Sequence, residues 1–144
     1  MKGKGWFGQK HRHGLASKGI KSKYISIKGE KIDIENEVYR TLSTIEYGDL
    51  IDLLDGYASD EEKIEWVEEW FKQGDYEYYF SKDMKFIFVK NTYIEGSDFE
   101  KRNVMDEWER QTETQDYNSL VNTVYNYMKP DERIDWIKNW HMGD

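Results

Sequence analysis

From Tyr24 onward the chain alternates apolar and polar residues. The stretch YISIKGEKIDI sets Ile25 and Ile27 opposite Ile32 and Ile34 across a turn containing Gly29, the period-two signature of a β-hairpin. A second hairpin is expected from Tyr76–Phe80 and Lys85–Lys90, joined by Ser81-Lys82-Asp83-Met84 and rich in the aromatic and β-branched residues that favour strands. Elsewhere the period is helical. Ser59 with Glu62 makes a capping-box pattern ahead of IEWVEEWFKQ, with Gly74 as the stop. Ser97 with Glu100 repeats that pattern and predicts a helix reaching about Thr112, while Pro130 suits the first turn of a helix over ERIDWIKNWH. Leu50, Ile51, Leu54 and Tyr57 form one apolar stripe, and Leu120, Val121, Val124 and Tyr127 another.

The two stripes belong to an internal repeat. Shifting the chain by 70 positions lays Tyr47–Phe71 on Tyr117–His141 without a gap. The identical pairs are Tyr47/Tyr117, Leu50/Leu120, Tyr57/Tyr127, Glu62/Glu132, Ile64/Ile134, Trp66/Trp136 and Trp70/Trp140. Glu37/Glu107 and Arg40/Arg110 extend the match upstream, and Lys23–Lys28 resembles Lys85–Lys90 once an eight-residue difference in length is allowed. The expected fold is α+β: a helix-rich single domain of two pseudo-repeats, about 30–71 and 100–141, packed as halves with a small hairpin-based sheet. A basic N-terminal arm over residues 1–28 precedes the acidic domain of 29–144.

Composition narrows the picture. The chain has 144 residues, 38% of them apolar and 35% charged, and carries six Trp, eleven Tyr and six Phe. Each ring can bury about 150–250 Å², so few are needed to organise a core. There is no cysteine, hence no disulfide framework or thiolate chemistry. The longest purely apolar run is Phe86–Val89, which excludes a membrane-spanning helix, and the basic first residues lack the apolar stretch of a secretory signal. A cytoplasmic location is expected, in the host cytoplasm if the protein is viral.

The net charge of −8 conceals a polarity. Residues 1–28 hold eight Lys or Arg and no acidic residue, whereas the rest holds 13 basic and 29 acidic residues. In the arm, Lys2, Lys4, Lys10, Arg12, Lys18, Lys21 and Lys23 can track phosphates while Trp6 or Phe7 stacks on a base. Two other roles stay open: docking on the protein's own acidic body, and binding a protein partner. Residues 9–18 allow a short helix closed by Gly19. Gly5-Trp6-Phe7-Gly8 followed by Arg12-His13-Gly14-Leu15-Ala16-Ser17-Lys18-Gly19-Ile20-Lys21-Ser22 resembles a short arm at the start of uncharacterised archaeal and viral proteins. That resemblance covers residues 5–22 and implies no activity.

Other conspicuous residues take structural readings. Trp66/Trp70 and Trp136/Trp140 each stand one helical turn apart, and the apolar stripe beside them assigns all four to the contact between repeats rather than to a ligand platform. His11 and His13 read as surface residues of a basic tail, so no metal site or cofactor is expected. Glu61, Glu65 and Glu68 lie on one helical face. A solvated acidic face is the default, and the sharper alternative is mimicry of a phosphate backbone. No phosphate loop, nucleophile elbow or metalloprotease motif occurs, so no catalytic residue is assigned.

The chain therefore reads as a non-enzymatic interaction protein acting through its arm on nucleic acid or on a complex that handles it. The alternatives are an acidic nucleic-acid mimic that blocks a host enzyme, and a structural subunit of a viral or other assembly. Self-association stays open.

Overall fold

A computed structural model describes residues 23–142. Strands β1 (Tyr24–Ile27) and β2 (Glu30–Asp33) pair antiparallel, with Ile25 facing Ile32. Lys28 and Gly29 turn the chain between them with φ of 53° and 80°, the double left-handed conformation of a two-residue hairpin turn. Residues 24–28 thus leave the basic arm and belong to this hairpin. Helices α1 (Ile34–Leu42), α2 (Tyr47–Tyr57) and α3 (Asp60–Gln73) follow. Ile34, expected to face Ile25 and Ile27 as part of the hairpin, instead opens α1, because Asp33 caps that helix by accepting from the Asn36 amide at 3.0 Å.

Strands β3 (Tyr76–Phe80), β4 (Phe86–Asn91) and β5 (Glu100–Asn103) form a second antiparallel sheet in the order β3-β4-β5, so the described residues carry two small sheets. Helices α4 (Val104–Thr112), α5 (Tyr117–Tyr127) and α6 (Pro130–Met142) complete a helix-rich α+β fold. The capping box expected at Ser97 and Glu100 does not form. Glu100 pairs with Val89 in the sheet, the ladder runs to Asn103 opposite Phe86, and Asn103 caps α4 through the Asp106 amide at 3.0 Å. Ser59 and Glu62 do form their box on α3, at 2.9 and 3.2 Å. Gly74 ends α3 in an extended conformation, not a left-handed one. Its lack of a Cβ matters because the Tyr76 ring lies 3.0 Å from where that atom would be.

The repeat is visible element by element. β2, α1, α2 and α3 recur as β5, α4, α5 and α6 at an offset of 70 residues. The Ile34 amide bonds to the Lys23 carbonyl and the Val104 amide to the Lys85 carbonyl, both at 2.9 Å. The eight extra residues of the second copy fall between β4 and β5, where the first copy has only Lys28-Gly29.

The two compact units are not the two copies. One comprises residues 23–58 and 116–142, the other residues 59–115. In the first unit α1 packs on α6 and α2 on α5, while in the second α3 packs on α4. Each copy thus gives its last helix to the first helix of the other. The first unit is buried around Val38, Leu42, Leu50, Leu54, Leu120, Val124 and Ile137. Trp136 Nε1 donates to Thr41 Oγ1 at 2.7 Å, and Tyr39 stacks on Tyr125 with ring centroids 4.3 Å apart. Burial, with Tyr125 close by, pushes the Tyr39 hydroxyl pKa up to about 12, and that hydroxyl donates to Asn122 Oδ1 at 2.7 Å. The second unit closes around Trp66, Val67, Phe71, Ile87, Val89, Val104 and Trp108.

The tryptophans divide. Trp66 is 4% exposed and meets Trp108 edge to face at 5.5 Å, so it does join the two copies. Trp136 is half-buried on α1. Trp70 and Trp140, at 40% and 36% exposure, lie at the surface, which corrects the assignment of all four to the core. The stripe is narrower than the pairs suggest: Val67 and Ile137 complete it on the buried side, leaving the later tryptophan of each pair at its margin.

Candidate nucleic-acid interface

Of the arm residues singled out, Lys2, Lys4, Trp6, Phe7, Lys10, Arg12, Lys18 and Lys21 lie outside the described residues, as does the helix expected over 9–18. Lys23 is described. Its side chain is exposed and its carbonyl is the one held by Ile34, which fixes the base of the arm at the start of α1.

The acidic row on α3 is less uniform than its spacing implies. Glu61 and Glu65 are exposed, but Glu68 is partly covered and accepts from the Tyr78 hydroxyl at 3.2 Å. Desolvation and then the charge of Glu68 raise the pKa of that hydroxyl. A phosphate mimic built on these three residues would therefore present two free carboxylates and one engaged in binding its own sheet.

A second group of charges lies where α4 meets β5. Arg110 bonds Glu107 at 2.6 and 2.9 Å, and Arg102 reaches Glu107 at 3.2 Å and Glu100 at 3.0 Å. Burial pushes the Glu107 carboxyl up, but the hydrogen bonds and charges of Arg110 and Arg102 outweigh it and hold the pKa below the usual value. With Asn103 and Asp106 these residues line an open groove of about 480 Å³. Both guanidiniums already serve carboxylates of the groove, so it offers no cation to an incoming phosphate. The matching site in the first copy joins Glu37 to Arg40 at 2.6 Å and to His141 Nε2 at 2.7 Å.

The outer face of the β3-β4-β5 sheet is different. Ile87 and Val89 point inward toward the side covered by α3 and α4, so Phe86, Phe88 and Lys90 point outward. Tyr79 lies opposite Phe88 and stacks on it, with centroids 4.8 Å apart and planes 13° from parallel. Phe99, just before β5, meets Tyr79 edge to face at 5.2 Å. Two ammoniums border these rings: Lys90 lies 5.7 Å from the Phe99 centroid and Lys101 lies 4.2 Å from the Phe86 centroid. Tyr79 is 50% exposed and Phe99 40%. Among the described residues this is a joined aromatic surface that solvent reaches, rimmed by lysine. The strand patterns place Tyr79 and Phe88 on strands but do not by themselves assign them a side. The alternation in YEYYF and FIFV supplies it once the buried residues are known, because burying Ile87 and Val89 sends Phe88 to the other side.

No group of three acidic or histidine side chains that could hold a metal occurs among the described residues, and none of their helices is long and apolar enough to cross a membrane. No family model, curated protein or solved structure matches the chain.

Proposed function

We propose that the protein is a non-enzymatic interaction protein that acts on nucleic acid, or on a complex handling it, through its basic N-terminal arm. One observation carries this: the first 28 residues hold eight cations and no anion, in a chain whose remainder is strongly acidic. Such a segregated cationic stretch gains affinity by releasing counterions from a phosphate backbone. The acidic body does not cancel that attraction at the arm's tip, because charges are screened over about 8 Å at physiological salt. Trp6 and Phe7 add rings that stack on bases without regard to sequence. A cytoplasmic location, and an archaeal or viral source, fit the same reading.

The test uses the full chain with Lys2, Lys4, Lys10, Arg12, Lys18 and Lys21 changed to Gln, leaving the β1–β2 hairpin untouched. Binding to fluorescein-labelled DNA and RNA is followed by anisotropy across a salt series. If six phosphates are engaged, affinity of the native chain falls about 10³-fold between 50 and 200 mM salt, and the variant loses that dependence. Unchanged binding in the variant would remove the arm from the function.

Reversing the charge of Glu61, Glu65 and Glu68 separates this role from phosphate mimicry. An arm-driven binder keeps its affinity after reversal, whereas a mimic loses its target.

A further inference from the structure

Building on the nucleic-acid reading above, we propose that the outer face of the β3-β4-β5 sheet takes the unpaired bases of single-stranded nucleic acid, stacking them on Tyr79, Phe88 and Phe99 beside Lys90 and Lys101.

The repeat shows which parts of this face the fold requires. Tyr24 and Lys31 of the first hairpin form a ring–ammonium contact at 4.2 Å, and their counterparts Phe86 and Lys101 form one at the same distance. That contact belongs to the shared hairpin. Phe88 has Ser26 as its counterpart, Phe99 belongs to the segment that replaces Gly29, and Tyr79 lies on a strand with no counterpart among the described residues of the first copy. The first hairpin is ordered without these rings, so folding of the unit does not account for them.

Their arrangement suits bases better than a protein surface. A planar base needs ring surface that solvent reaches, and Tyr79, one side of which is covered by parallel stacking on Phe88, is 50% exposed and Phe99 40%. Each base stacked on an aromatic ring contributes about 1–3 kcal/mol, in any sequence. A stable pairing with another protein needs about 800 Å² from each partner. Three rings of about 150–250 Å², each partly covered, supply only part of that area. Glu77 faces Lys90 across the strands, so the rings rather than net charge carry the attraction. Lys90 and Lys101 serve the phosphates. A base-paired duplex keeps its bases stacked inside and offers this face nothing.

The experiment compares the full chain with its Tyr79→Ala/Phe99→Ala variant, whose altered side chains are exposed enough to leave the fold intact by circular dichroism. A Tyr79→Phe variant retains the ring. Anisotropy is measured with 15-nucleotide oligo(dT), oligo(rU) and a 15-base-pair duplex. The expected result is tighter binding of the single strands by the native chain, with a loss of about tenfold or more in the double variant. Duplex binding stays unchanged, and Tyr79→Phe binds as the native chain does. Equal binding of single strands and duplex, unaltered in the double variant, would overturn the sheet site and leave the arm reading standing. No binding of any probe by the full chain would overturn both. A dimer in sedimentation that the double variant dissolves, with oligonucleotide binding unchanged, would assign the face to a second copy and overturn the proposal.

Discussion

Replacing Trp66 with alanine tests directly how the two copies hold each other. Trp66 comes from α3 of the first copy and its edge-to-face partner Trp108 from α4 of the second. With 4% of its surface exposed, the indole buries about 150–250 Å², and at about 25 cal/mol per Å² that is an upper value of about 4–6 kcal/mol. Buried Trp→Ala changes cost about 3–5 kcal/mol. We expect about 4 kcal/mol, of which about 0.5–1.5 belongs to the ring pair with Trp108. Since small domains hold only about 5–15 kcal/mol in total, the variant should lose much of its stability. Trp70, one turn further along the same helix and 40% exposed, should cost less than about 1 kcal/mol. Urea unfolding followed by far-ultraviolet circular dichroism measures both, since fluorescence would change with the removal of a tryptophan itself. At a slope of about 2 kcal/mol per M, Trp66→Ala should lower the midpoint by about 2 M and Trp70→Ala by less than about 0.5 M. A double-mutant cycle with Trp108→Ala isolates the ring pair. Equal losses at Trp66 and Trp70 would refute this account of the interface.

Three further outcomes follow from the copies and their charges. Glu107→Gln should cost about 1.5–3 kcal/mol in urea unfolding, because its buried carboxylate holds Arg102 and Arg110 together, while Glu37→Gln, whose partner Arg40 is largely exposed, should cost no more than about 1 kcal/mol. On acidification, stability should fall. Glu37 is held below its usual pKa chiefly by the Arg40 hydrogen bond, and Glu107 by its two arginines acting against burial. Their contribution is therefore complete above about pH 4.5 and lost as pH drops through the lower native values; a urea midpoint that rises between pH 5 and pH 3 would contradict this. Lys28→Asn should stabilise the β1–β2 hairpin by about 0.5 kcal/mol, because asparagine tolerates the left-handed φ of 53° better than lysine does, and thermal unfolding would show the gain.

The legible parts of the fold were those written in local chemistry. The Ser59–Glu62 box, Pro130 at the head of α6, the Gly29 turn and the 70-residue offset all state their structure within a few residues. The start of α4 is not legible locally, because Ser97 and Glu100 carry the same signature as Ser59 and Glu62, whereas the outcome depends on β4 supplying a strand for Glu100–Asn103 to pair with. The exposure of Trp70 and Trp140 was equally out of reach. Each lies four residues after its partner on the same face, and only the distance to the neighbouring helix decides which ring it covers. The exchange of last helices between copies leaves no trace in the pattern, since an apolar stripe states that a helix is covered but not by which copy. The aromatic sheet face was half legible: alternation gave its direction, but the joining of Tyr79, Phe88 and Phe99 needs the register of three strands.

Duplication gives an internal standard for separating what the fold requires from what it merely permits. The capping residues Asp33 and Asn103, the pairs Glu37–Arg40 and Glu107–Arg110, and the two ring–ammonium contacts recur at matching positions, and each has a structural task. Most other positions differ between the copies, and a few of the differences bear on charge and exposure. Ile32 becomes Arg102 and Phe71 becomes His141; each new basic side chain joins a glutamate of its own unit, so these changes are absorbed internally. The departures at Ser26/Phe88 and in the inserted segment are not absorbed. They place rings on a surface that water reaches, at a cost in solubility. A feature that one copy lacks, that costs solubility and that the first hairpin does without is better explained by a ligand than by folding. The basic arm stands outside the matched segments as well, since the 70-residue match begins downstream of it. The two parts of the chain that the duplication does not explain are thus the two whose chemistry suits nucleic acid, one through its phosphates and the other through its bases.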